Sequence, residues 1–282
     1  EYYRQLFDLE TNKFDAFKKD EMLRVKNKKY HIITQLKVNP LNSHLAYISN
    51  NLGKVQLRVK NLSTEEDSKI WGRGYKNAFQ QTDFLYPTLC WHPTNEELSF
   101  VVVEGKYINL YRYNLRDKKI QSQKFPLAFQ RVYSISYLDD RYYIISASIE
   151  GVSDLFLYDT RGREFLNITA DYYDDLDAHY TTLNGEKGIL FSSNRTQDHI
   201  LPNKLDTLLP TNNFDLFFYP LSGPLDQFGL RDAPKAVERL TYTVGENERF
   251  PILFKKGQSF LFLSGQSGIV NAYYKANIEA DP

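Results

Sequence analysis

"TLNGEKGILFSSNRTQDHI", Thr182 to Ile200, begins as a polar turn, rises into an uninterrupted apolar strand at Gly188, and then departs through Ser-Ser-Asn-Arg into a polar run. Strand character returns only at "FDLFFYPL" from Phe214. The first twelve residues of this stretch align without gaps with four other segments: "VNPLNSHLAYIS" from Val38, "WHPTNEELSFVV" from Trp91, "YLDDRYYIISAS" from Tyr137 and "LFKKGQSFLFLS" from Leu253. Each copy is a strand end, a turn rich in Asn, Asp, Gly, Pro or Lys, and an apolar strand. The turn residues tolerate tight dihedrals or stay solvated. The nearly continuous apolar strands predict hairpins covered on both faces.

A second strand follows each hairpin, usually opened by glycine: "GKVQLRVKNL" from Gly53, "GKYINLYRYNL" from Gly105, "GVSDLFLYDT" from Gly151 and "GIVNAYYKAN" from Gly268. In the fourth copy "FDLFFYPL" matches "SDLFLYDT" from Ser153 through Asp-Leu-Phe and the later Tyr, so the strand is present but displaced. Residues 196–213 therefore read as a loop inserted inside one repeat. Successive copies start 53, 46, 45 and 71 residues apart. The excess in the last interval falls partly before Asp215 and partly in a second insertion, 222–236, "SGPLDQFGLRDAPKA". Without the insertions the period is about 45, that of a four-stranded propeller blade.

The N-terminal "FDLETNKF" from Phe7 overlays "YNLRDKKI" from Tyr113 and "YDTRGREF" from Tyr158, the third strand and outer turn of a blade. Residues 1–30 thus read as a partial blade. The expectation is an all-β, single-domain β-propeller over 1–282, built of four-stranded antiparallel blades. It would have six blades, one incomplete or closed by the two chain ends interlocking, which removes exposed edges. The chain is expected to be part of a longer one.

Composition agrees. Of 282 residues 42% are hydrophobic and 15% aromatic, and the 21 Tyr and 19 Phe stand beside Val, Ile and Thr in short runs, as strands prefer. Thirty-five basic and 35 acidic side chains cancel, so no net field favours nucleic acid or an anionic membrane surface. No apolar run reaches the roughly 18 to 20 residues that span a bilayer. Cys90 is the only cysteine, which excludes an internal disulfide and a multi-thiolate metal cage.

The phrase "LNGEKGILFSSNR" followed by "DLFFY" resembles the repeat of TolB-type propellers: Ser-Pro-Asp-Gly-Lys or an aromatic variant, an apolar strand, Ser-x-Arg, then Asp-Ile-Tyr. The likeness extends over nearly the whole chain. "NPLNSH" and "HPTNEE" keep the proline but lose Asp-Gly, and "YLDDRY" loses both. The resemblance implies a scaffold in the envelope of a Gram-negative bacterium, periplasmic or outer-membrane-associated, docking a protein partner. Any membrane association would come through that partner or a terminus. The alternative is the propeller domain of a hydrolase, a peptidase gate or a glycoside-active propeller, with its catalytic part elsewhere.

No catalytic constellation emerges. "GQSGI" at Gly265 lacks the final glycine of a nucleophile elbow and sits in a hairpin turn. His31, His44, His92, His179 and His199 show no metal-ligand spacing. The acidic stretch Asp171, Asp174, Asp175 and Asp177 could supply oxygens to Ca2+, yet it lacks the Asp-x-Asp-x-Asp-Gly loop, and it reads first as a solvated inter-blade loop. Its pairing with Glu248 would be the glycosidase reading. No cofactor is expected. Partner binding is assigned instead to the insertions, through Ile200, Leu201, Leu205, Leu208, Leu209 and Phe228, and to Asp174, Asp175 and Asp177, because long propeller loops carry contacts while blades carry stability.

Overall fold

The computed structural model describes residues 2–8, 13–23, 31–74, 83, 85–94, 96–126, 128–200, 212–221, 236–254 and 259–276. Its contacts group the chain into two compact units, Glu1–Pro87 and Thr88–Pro282. All described regular structure is β, and no helix among these residues is long and apolar enough to cross a membrane.

In the first unit, β1 (Tyr2–Asp8) and β2 (Lys13–Leu23) form a two-stranded sheet. The strands β3 (His31–Val38), β4 (His44–Asn51), β5 (Lys54–Asn61) and β6 (Asp67–Arg73) make a four-stranded antiparallel meander, blade 1. The second unit holds blade 2, from β7 (Thr88–Trp91), β8 (Glu97–Glu104), β9 (Tyr107–Asn114) and β10 (Ile120–Lys124). Blade 3 follows with β11 (Arg131–Tyr137), β12 (Tyr142–Ile149), β13 (Val152–Asp159) and β14 (Glu164–Asn167). Blade 4 has β15 (Asp175–Leu183), β16 (Glu186–Ser193), β17 (Asp215–Pro220) and β18 (Glu238–Arg239). Blade 5 has three described strands, β19 (Glu248–Phe254), β20 (Ser259–Ser264) and β21 (Asn271–Ala276).

The described residues therefore form five blades, not the six expected. The N-terminal piece pairs Phe7 with Phe14 and Asp8 with Lys13. Tyr158 with Phe165 and Asp159 with Glu164 pair in the same way in β13–β14. Its register thus matches that of the third and fourth strands of blade 3, and among the described residues no further strand joins it. The expected interlock of chain ends appears in neither the β1–β2 sheet nor the β19–β21 sheet.

Within the second unit the first strands of consecutive blades are neighbours: β7 beside β11, β11 beside β15, β15 beside β19. The core lies between blades. One layer combines Leu138, Ile144, Leu155 and Leu157 of blade 3 with Ile189, Phe191, Phe217 and Tyr219 of blade 4. The next combines Leu190, Leu216 and Phe218 of blade 4 with Phe260 and Phe262 of blade 5. Side chains alternate across a strand, so β17 sends Phe217 and Tyr219 to one neighbour and Leu216 and Phe218 to the other. That two-sided burial is why its sequence has no polar face. Each large apolar side chain so covered stabilises by about 1.5–3 kcal/mol.

The turn glycines do what their position demands: Gly53 and Gly151 have φ of 82° and 87°, a region closed to most L residues. A bulge recurs in three first strands. It lies opposite Tyr47, Phe191 and Phe262, the tenth residue of the copies starting at Val38, Thr182 and Leu253. Its left-handed residue is Gln35, Asp177 or Phe250, with φ of 54°, 57° and 56°.

Candidate functional site

Both insertions belong to blade 4 and share one root. The first leaves β16 at Asn194, and its described part closes on the second through a bridge between His199 and Ala236. The amide of Val237 donates to the carbonyl of Asp198 at 2.9 Å. Ile200 is buried beside Leu221 and Val237, against Leu138 and Tyr142 of blade 3. Of the proposed contact residues, Ile200 thus folds back onto the blades. Leu201, Leu205, Leu208, Leu209 and Phe228 lie outside the described residues.

Beneath that root lies a buried ion cluster. Oxygens of Asp154, Asp171 and Asp175 come within 4.8 Å of one another. Arg195, with a side chain of 0% exposure, extends into them from just beyond the end of β16. Its Nη2 donates to both oxygens of Asp175 at 2.8 and 2.7 Å, and its Nη1 to Asp171 at 3.3 Å and to the carbonyl of His199 at 3.4 Å. Nε donates to Ser193 Oγ at 3.0 Å. Asp154 is held by Asn167 Nδ2 at 2.8 Å and Thr169 Oγ1 at 3.2 Å. Burial pushes Asp154 up to about 6, and burial with the neighbouring charge of Asp175 pushes Asp171 up to about 7.

The other two acidic candidates have different partners. Asp174 accepts from the amide of Ser153 at 3.1 Å, while its own amide donates to Asn194 Oδ1 at 2.8 Å, so it fastens the loop entering β15. Asp177 is the left-handed bulge residue of β15. It accepts from Arg249, from Ser192 Oγ at 3.2 Å and from the amide of Phe250 at 3.2 Å. It therefore ties the bulge of blade 4 to the corresponding bulge of blade 5. The acidic stretch is buried structure rather than the solvated loop its composition suggests: Asp171, Asp175 and Asp177 are all buried. Of the carboxylates that the glycosidase reading would pair, Asp175 and Glu248 are fully buried, Asp171 and Asp177 are buried, and Asp174 is partly exposed.

The remaining candidates are local. His92 bonds Thr94 through Nδ1 at 2.6 Å and Asp140 through Nε2 at 2.8 Å, with its ring edge-on to Tyr137 at 4.5 Å between centroids. Cys90 is buried. Ser99 Oγ lies 2.6 Å from the hydroxyl of Tyr137 and 2.8 Å from that of Tyr143, joining blades 2 and 3. Arg195 is the residue that sequence reasoning passed over. Its signal was present, since Ser-x-Arg after the apolar strand is part of the TolB-type repeat that this stretch resembles.

No family model and no curated protein matches this sequence. Solved structures do. TolB from Acinetobacter baumannii superposes with a TM-score of 0.61 at 14% identity, over 98% of this chain and 60% of that one. A TolB-type chain from Agrobacterium tumefaciens gives 0.63 at 13% identity, over 100% and 88%. The β-propeller domain of the Trilobed protease from Pyrococcus furiosus gives 0.54 at 13% identity, over 97% and 76%. The fold is a β-propeller with TolB-like architecture, and the same architecture is found in a protease's propeller domain.

Proposed function

We propose that this propeller is a non-enzymatic docking platform that captures a protein partner through the rim of blade 4, within a bacterial envelope. The observation that carries this reading is the shared root of the two insertions. Both leave one blade at a point fixed by the His199–Ala236 bridge and by the buried side chains of Ile200, Leu221 and Val237. A root anchored this firmly supports a long loop without destabilising the blade, and loops beyond about 12–15 residues are uncommon unless used. The envelope location rests on the resemblance of the repeats to TolB-type propellers.

The test removes residues 201–211, retaining Ile200 and the bridge. The expected result is an unchanged melting temperature with reduced capture of a partner from native envelope extract. Undiminished capture by the shortened protein refutes the role of the loop.

A second reading, a propeller domain serving a peptidase, draws on the likeness to the Trilobed protease domain. A hydrolase signature in the same polypeptide, together with peptide turnover by the full-length protein, would favour it over the platform.

A further inference from the structure

In the buried cluster beneath the insertions one guanidinium serves three carboxylates. Arg195 grips Asp175 with two bonds and reaches Asp171 with a single longer one, at 3.3 Å. Asp154, in the same cluster, meets the neutral donors Asn167 and Thr169. The other oxygen of Asp171 accepts from the amide of Tyr173 at 3.0 Å. Asp171 is thus faced by Asp154 from β13, Asp175 from β15 and Arg195 from beyond β16, with the ring of Tyr173, on its own loop, 5.4 Å from the guanidinium. With every acid ionised, three negative charges would stand against one positive charge out of water. Such an excess is costly, so the closed cluster keeps a proton that a solvated carboxyl would have lost.

The strands around the cluster are fixed in antiparallel ladders. The two pieces that carry Asp171 and Arg195 inward are not strands: 168–174 enters β15 and 194–198 leaves β16. They are stitched to each other. The amide of Asp174 donates to Asn194 Oδ1 at 2.8 Å, and the hydroxyls of Tyr173 and Thr196 lie 3.0 Å apart. Arg195 Nη1 donates to Asp171 and to the carbonyl of His199 alike, and His199 bridges Ala236. The guanidinium that balances Asp171 therefore also holds the root of the first insertion. Water reaches Asp171 most readily by parting these two pieces, because the strands are held by their ladders.

We propose that this cluster is a pH-responsive latch on the root of the blade 4 insertions, shut in mild acid and loosened as the solution becomes neutral to alkaline. The sign follows from which form binds the proton more tightly. Burial and the neighbouring carboxylates hold Asp171 and Asp154 above the ordinary carboxyl range in the closed form. Below about pH 4 both forms are protonated and the root is tightest; between about pH 4 and about 7 the closed form alone retains the proton, and opening gains with each step. As a control on docking the latch rests on the platform reading, but its readout is the root itself, so either can fail without the other.

The test is amide hydrogen exchange of the full chain, followed by NMR at Asp174 and Val237, whose amides donate across the root, and corrected for the intrinsic rate. From about pH 5 to about pH 8 the protection of both amides is expected to fall roughly tenfold or more, a factor of ten for each pH unit over which the closed form alone holds the proton. Dilute urea should leave their exchange unchanged while speeding that of amides in the β12–β13 ladder, which marks the opening as local. Asp171→Asn, isosteric and uncharged, should remove most of the fall. His199→Gln, which replaces the exposed titratable side chain at the bridge, should leave it. Protection that does not change with pH overturns the proposal, as does a fall undiminished in Asp171→Asn or lost in His199→Gln. Exchange at both amides that quickens with urea as the ladder does also overturns it, because the root then opens only when the blade unfolds. Should Asp171→Asn fail to fold, the carboxyl carbon shifts of the wild type decide: Asp171 is expected to titrate well above the ordinary carboxyl range, and a midpoint within that range refutes the latch.

Discussion

Arg195 shows how much one side chain can hold. Its guanidinium is completely buried and carries the only positive charge that ion-pairs with Asp171 and Asp175 among the described residues. Removing one partner from a buried ion network strands the others, at a cost of roughly 3–5 kcal/mol. Arg195→Met is therefore expected to lower the melting temperature by about 6–20 °C, taking roughly 2–4 °C per kcal/mol for a chain of this size. Arg195→Lys should fall between, because an ammonium keeps the charge but loses the two-toothed grip on Asp175. A thermal melt of the three proteins checks the order. Asp171 offers the complementary test through pH. Its folded pKa, about 7, lies above the ordinary carboxyl value, so the native state holds that proton more tightly than the unfolded chain does. Its contribution to stability is complete below about pH 4, declines as the pH rises to about 7, and is flat beyond. Asp171→Asn cannot ionise, so it should flatten that decline, gaining stability relative to the wild type at about pH 8 compared with about pH 5 in urea titrations.

At the scale of the element, β16 is decided by its first residues as much as by its apolar run. A Cβ on Gly188 would lie 2.4 Å from both the ring of Phe218 and the carbonyl oxygen of Tyr219, so the glycine lets β17 close on β16. Gly188→Ala should destabilise by about 1–3 kcal/mol, the usual penalty of overpacking, visible as a lower urea midpoint with an unchanged slope. The hairpins, the displaced strand at Asp215 and both insertions were legible in the sequence because turn residues and apolar runs are local signals. The bulges were not. Nothing in Gln35, Asp177 or Phe250 as residue types announces a left-handed backbone, and the bond that ties two of them, from the amide of Phe250 to Asp177, joins residues 73 apart in the sequence. The acidic stretch misled for the same reason. Composition reports charge, but only the fold reveals that Arg195, some twenty residues on, is already waiting between Asp171 and Asp175.

For the molecule, the repeat told blade architecture correctly and blade number incorrectly. "FDLETNKF" reads as part of an incomplete sixth blade, and the described residues there form a two-stranded sheet. The docking reading draws on the opposite property of the sequence, its irregularity. Blade 4 departs from the period, and its two departures meet at His199 and Ala236. The alternating partners of β17 carry a last consequence. Since odd and even positions of that strand serve different neighbours, a single-residue insertion or deletion within it would exchange the two sets and spoil both interfaces at once. Strand lengths are thus locked like the teeth of a gear train, and evolution's freedom to add or remove residues is confined to the rims.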